Sequence, residues 1–165
     1  MAHGVDLTRK MLKYDVSGIT ILLNIIGRGY IMVNSNRSLA KFILFTILTC
    51  GIYALVFLYG LVRDVNVLCD GDGKKTAGLI KLYLLGIITC GIYIFVWYYS
   101  LGNRLAENAP RYGLHFTENG TSVLLWQLFG TALCGIGPFV AMNILIKNTN
   151  ALANAYNAQV ANGVN

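Results

Sequence analysis

Four cysteines are the most reactive side chains in this 165-residue chain: Cys50, Cys69, Cys90 and Cys134. Thiolates ligate metals and exchange disulfides, and metal-binding cysteines come in close C-x2-C pairs. No such pair occurs here. Cys50, Cys90 and Cys134 lie inside uncharged apolar stretches, where a thiol stays protonated and inert. They read as packing residues. Cys69, between two such stretches, is left as the candidate for disulfide exchange, with a second subunit as its expected partner. Asp70-Gly-Asp-Gly-Lys-Lys-Thr76 resembles a phosphate or calcium loop at first sight. It lacks the glycine five residues before Gly73 that a phosphate loop uses, and Lys81 stands where a calcium loop places its terminal Glu. It reads as a solvated turn. His3 and His115 have no visible partners. The expectation from reactive groups is therefore a non-enzyme with no catalytic residue, cofactor or metal.

The elements that hold these residues are set by composition. The chain is 56% hydrophobic and 12% charged, with a mean hydropathy of +0.59. Soluble domains carry about twice that share of charge. A secreted disulfide module, a disordered chain and a soluble enzyme are all disfavoured. Three stretches, 42–62, 82–103 and 123–146, contain no charged residue. Each has the roughly 20 residues that a membrane-crossing helix needs. The fold expected is an all-α membrane protein with three transmembrane helices. Lys41, Lys81 and Lys147 stand at segment ends, and Tyr59, Trp97, Tyr98, Tyr99 and Trp126 suit the interfaces. No buried ionisable group marks a proton or ion path. Net charge is +6. The basic residues flank the apolar stretches, so lipid headgroups are the expected partner and nucleic acid is not.

The chain repeats itself at an offset of 40. Eleven of 22 positions are identical between 41–62 and 81–102, including Thr-Cys-Gly-Ile-Tyr at 49–53 and 89–93. Cys134-Gly135-Ile136-Gly137 is a weaker third copy. On continuous helices, residues four apart share a face. Thr46/Cys50, Gly86/Cys90 and Gly130/Cys134 then form small-residue packing pairs, with Gly51, Gly91 and Gly135 adjoining them. Pro138 after Gly137 predicts a kink and a possible hinge in the third segment. Thr46, Thr49, Thr89, Gln127, Thr131 and Asn143 are the polar side chains at mid-membrane. They either bond neighbouring helices or line a narrow pore between subunits. Beyond each repeat come Arg63, Asp64 and Asn66, then Asn103, Arg104 and Glu107, then Asn148 and Asn150. Intramolecular capping and pairing, such as Arg104 with Glu107, is one reading. A surface docking patch of Arg63, Asp64, Asn66, Arg104 and Asn150 is the other.

Three regions follow: an N-terminal interfacial element over 1–37, a transmembrane domain over 38–147 and a polar helical tail over 148–165. In the first, two β-branched runs around Gly27-Arg28-Gly29 suggest a short β-hairpin, with an interfacial helix over 5–14 as the rival. In the tail, Leu152, Tyr156 and Val160 recur at helical spacing and Gly163 suits its end. With three crossings, eight basic residues share the N-terminal side and five the other. That bias predicts a cytoplasmic N-terminus.

The doubled Thr49-Cys-Gly-Ile-Tyr-Ala-Leu-Val-Phe-Leu-Tyr59 and Thr89-Cys-Gly-Ile-Tyr-Ile-Phe-Val-Trp-Tyr-Tyr99 resembles a bacterial family of small multi-pass membrane proteins, a domain of unknown function with a Thr-x-Gly-Ile-Tyr-x3-Trp-x-Tyr hallmark. The likeness covers 38–110 well and 111–157 more loosely. It departs at Phe57, where Trp would stand, and at Gly137-Pro138, where Tyr-Ile would stand. The resemblance implies a helical protein of the bacterial cytoplasmic membrane and implies no activity. The function expected is a scaffold or accessory subunit that acts through helix packing and oligomerisation, alone or in a larger membrane complex. The alternative is a homo-oligomeric channel or small transporter lined by Thr, Asn and Gln.

Overall fold

A helix stops where its backbone enters the left-handed region, and Thr-Cys-Gly makes it do so twice. In the computed structural model, which describes residues 32–132 and 135–163, each uncharged stretch is divided near its middle. The helices are α1 (Leu39–Leu48), α2 (Ile52–Leu68), α3 (Leu79–Ile88), α4 (Ile92–Asn108), α5 (Gly120–Ala132) and α6 (Gly137–Ala161), with a 3-10 turn at Ala109–Tyr112. No strand occurs among the described residues. The first two helix pairs match at an offset of 40, end for end.

This corrects the three-span expectation over 42–62, 82–103 and 123–146. Among the described residues, no helix is long and apolar enough to cross a membrane. Hydropathy over a 20-residue window cannot see the break, because the residues that make it are themselves apolar or small. Cys50 sits at φ 49° and Gly51 at φ 93°, and Cys90 and Gly91 repeat this at 50° and 90°. The Gly51 amide donates to the Thr46 carbonyl at 2.8 Å, and the Cys50 amide donates to that of Ile47 at 3.2 Å. That pair of bonds is a Schellman closure of a helix C-terminus. The Thr49 hydroxyl then joins the two arms. It donates to the Phe45 carbonyl at 2.7 Å and accepts from the Tyr53 amide at 2.9 Å. Thr89 does the same between Leu85 and Tyr93.

The third pair is closed by glycine contact. A Cβ on Gly130 would lie 2.4 Å from the Gly137 Cα, so α5 and α6 approach to backbone distance. Pro138 stands in the first turn of α6, where its missing N–H has no helical acceptor to lose. The mid-segment kink expected at Gly137 and Pro138 is thus a helix start.

All three hairpins point the same way. Asp64, Arg104 and Asn150 follow the starts of α2, α4 and α6 by twelve, twelve and thirteen residues. Arg37 pairs with Asp64 and exchanges backbone bonds with Asn150, while Arg104 reaches Asn66 on α2. The long arms therefore meet at one level, the base, and the breaks lie together at the other end. The fully buried Leu61, Val65, Leu68, Leu101, Leu105 and Leu145 put the core at or near the base.

Leu152, Tyr156 and Val160 of the expected tail helix lie on α6, which runs unbroken through Lys147. The chain divides after Met32, and Val33–Asn165 forms one compact unit. The β-hairpin and interfacial helix expected within 1–37 fall almost wholly outside the described residues.

Candidate functional site

Arg104 organises the base. It is 4% exposed, and an unpaired guanidinium cannot be held there without a large penalty. Its Nε and Nη2 donate to the two carboxylate oxygens of Asp72 at 2.7 and 3.0 Å. Nη1 donates to Asn66 Oδ1 at 2.6 Å and to Thr76 Oγ1 at 2.8 Å. Nη2 also reaches the carbonyls of Lys74 at 2.7 Å and Cys69 at 3.3 Å. Asn108 donates to Asp72 Oδ2 and to the Arg104 carbonyl, and Arg111 donates to Asn108. The fork of donors is thus spent inside the protein. The Arg104 guanidinium holds the Asp72 carboxyl well below the usual carboxylate range, aided by the Lys74 amide and Asn108.

A second cluster ties the chain entering α1 to α6. Arg37 pairs with the buried Asp64. Asn150 accepts from the Arg37 amide at 3.1 Å and donates to its carbonyl at 2.8 Å. Two helical turns on, Asn157 does the same to Val33, at 3.0 and 2.8 Å. Each amide side chain stands in for a strand neighbour of the extended segment.

The opposite end is apolar and unpaired. Ile47, Leu48, Ile52, Ile87, Ile88 and Ile92 flank the first two breaks and are each 66–78% exposed. Phe129 and Ile136 flank the third at 67% and 59%. Cys50 and Cys90 are exposed between them.

The expected packing residues are distributed accordingly. Thr46 and Cys50 do not share a helix face, since α1 ends at Leu48, and likewise Gly86 and Cys90 are parted by the end of α3. Nothing stands within 4 Å of a Cβ built on Gly51, Gly91 or Gly135, so these glycines serve backbone angle and not close packing. Gly86 is buried, with Ile94 3.3 Å from the position of its missing Cβ. Gly130 makes the closest approach described above. Cys134 lies outside the described residues. Cys69, expected as the exchangeable thiol, is fully buried, and desolvation pushes its pKa up to about 11 despite the nearby Arg104.

Of the docking set, only Arg63 is exposed; Asp64 and Arg104 are buried, and Asn66 and Asn150 are half-buried. Arg104 pairs with Asp72 in place of Glu107, which takes Lys74 instead. The loop read as a solvated turn therefore supplies the main counter-ion of the core. Asp72, Thr76, Asn108, Arg37 and Asn157 were not singled out by spacing. One signal was present: the 40-residue offset superposes Asp64 on Arg104, placing opposite charges at equivalent depth. Among the described residues no cluster of three His, Cys, Asp or Glu side chains could hold a metal ion.

Residues 37–107, and again 84–150, match the family described as a domain of unknown function (DUF4234). These matches span more than half of the chain, and the protein belongs to that family. The double match is the internal repeat seen from the family side. No curated protein and no solved structure matches the chain.

Proposed function

We propose that this protein is a non-enzymatic membrane-bound scaffold or accessory subunit that acts by packing against copies of itself or a larger membrane protein. The observation that carries this reading is the segregation of its surface. Apart from Met32 and Ile80, every large hydrophobic side chain found exposed among the described residues lies within 42–62, 82–103 or 123–146. Water-soluble monomers rarely leave contiguous apolar surface of that kind uncovered. The buried charges, by contrast, are consumed by one another, so the base supports shape and offers its ionic groups to no ligand. The hydroxyls of Thr49 and Thr89, two of the six side chains of the expected pore lining, are likewise spent in the turns.

The test is stoichiometry in a bilayer. The full chain, reconstituted in nanodiscs large enough for several copies, is expected to give a fixed multimer by single-particle mass. Strict monomers at every protein-to-lipid ratio, with no membrane protein co-isolated from native membranes, would sink the scaffold reading. Ion flux through liposomes at high protein loading would replace it by a channel.

A further inference from the structure

We infer that the three hairpins enter a single leaflet of an anionic bilayer from one side, with their turns near its midplane and the base in the headgroup and water region. This deepens the reading above, since it rests on its claim that the protein is membrane-bound. Its occupant is a layer of acyl chains.

Length is the first argument. α1 and α3 have ten residues each, which at about 1.5 Å per residue is roughly 15 Å. That is half of a hydrocarbon core of about 30 Å, hence one leaflet. A hairpin of this reach cannot cross but can fill one monolayer.

The second argument is the level of the charge. Lys41 and Lys81 each stand seven residues before the turn-side end of their short arms, and Lys147 stands ten residues past the turn-side end of α6. All three are exposed. Nothing charged lies between this level and the turns. Repeat-equivalent Tyr59 and Tyr99, each eight residues past the turn glycine, are exposed at 66% and 38%. Ammonium groups and amphipathic rings at one level, with bare hydrocarbon beyond them, is the layering of a membrane interface with negative headgroups. A protein groove would not require the same order on both repeat hairpins.

Backbone accounting is the third. In hydrocarbon an unpaired N–H costs several kcal/mol, so irregular backbone is excluded unless its donors are satisfied internally. From 49 to 54 every amide has an acceptor within its own hairpin: five carbonyls and the Thr49 hydroxyl. From 89 to 94 the same six bonds recur. Both turns meet that condition.

The test uses the native thiols. The unmodified chain is reconstituted in vesicles of phosphatidylcholine and phosphatidylglycerol at 3:1. It is treated with a charged, impermeant maleimide or with N-ethylmaleimide, and labelling is read by mass spectrometry at each cysteine. Cys50 and Cys90 are expected to resist the charged reagent at least tenfold more than in denatured protein. Nitroxides on each should collide with oxygen far more than with a nickel chelate. Cysteines introduced at Asp70, His115 and Asn162 should all label from the same vesicle face. Opposite faces for Asp70 and His115, or turn thiols that react as in water, would overturn the insertion. Multimers with water-exposed turns would refute insertion and leave the scaffold reading standing. Inserted monomers with no membrane protein co-isolated would do the reverse.

Discussion

At the residue scale, the most exposed consequence is at the turns. A non-glycine residue in the left-handed region costs about 1 kcal/mol relative to glycine, and Cys50 and Cys90 both sit there. Cys50→Gly and Cys90→Gly should each raise stability by about 0.5–1 kcal/mol in denaturant titration, while Thr49→Val should lower it by about 1–2 kcal/mol through loss of two bonds. An unchanged or lowered stability in both glycine variants would mean the thiol itself is doing something at the turn. Asp72 supplies a second residue-scale prediction. Its ordinary pKa of 3.8 is lowered on folding. A depressed carboxylate contributes stability that is complete above its unfolded value and is lost as pH falls through the folded one. Thermal unfolding temperature should hold steady above about pH 5 and decline below about pH 4. Asp72→Asn should flatten that slope, and at neutral pH it should cost about 3–5 kcal/mol because Arg104 stays buried without its counter-ion. An Asp72→Asn protein with the wild-type acid slope would assign the slope to other carboxylates.

At the scale of elements, helix contacts depend on glycines where backbones touch. A Cβ on Gly120 would stand 2.0 Å from the Tyr99 carbonyl oxygen, and one on Gly137 would stand 2.0 Å from that of Trp126. Neither obstacle is a flexible side-chain end. Gly120→Ala and Gly137→Ala should each destabilise by about 1–3 kcal/mol or more, whereas Gly78→Ala, with open space around it, should change little. Near-equal melting temperatures for all three would show that α5 does not pack as described. The elements were partly legible in the sequence. The repeat, the helical content and the uncharged spans all follow from residue identity, because periodicity and hydropathy are local. The breaks were legible only in Cys-Gly, a helix-stop signal that the length of the apolar run outweighed. A 20-residue apolar window fits both a crossing helix and a hairpin, and which one forms is decided by two φ angles. The polar base was less legible still. Arg104 and Asp72 are 32 residues apart, and Asn157 meets Val33 across 124. No spacing rule reaches that far, and only the alignment of Asp64 with Arg104 hinted at it.

At the scale of the whole molecule, the distribution of burial makes the base the part that opens last. Leu61, Val65 and Leu68 are fully buried, as are Leu105, Leu145 and Leu152. Toward the turns, Leu48, Ile52 and Val56 are 64–67% exposed. Local opening needs little energy where few apolar contacts are lost, and approaches the global unfolding energy where the core is dense. Polar links reinforce the same end: Arg104 closes the loop between the first two hairpins, and Asn150 and Asn157 clamp the segment that leads into α1. Amide hydrogen exchange of the full chain in mild detergent should therefore show a gradient along each long arm. Amides of 61–68, 101–108 and 141–152 should exchange last and together, at the rate set by global unfolding. Those of 52–56 and 92–96 should exchange sooner although they are equally helical. In Arg104→Met, which removes the guanidinium but keeps an apolar stem, the three slow groups should lose protection in step, because they share one buried core. If instead 101–108 alone became fast, the base would be three independent helix ends. The hairpins would then be held together by their glycine contacts and apolar arms, and not by the ionic cluster at their roots.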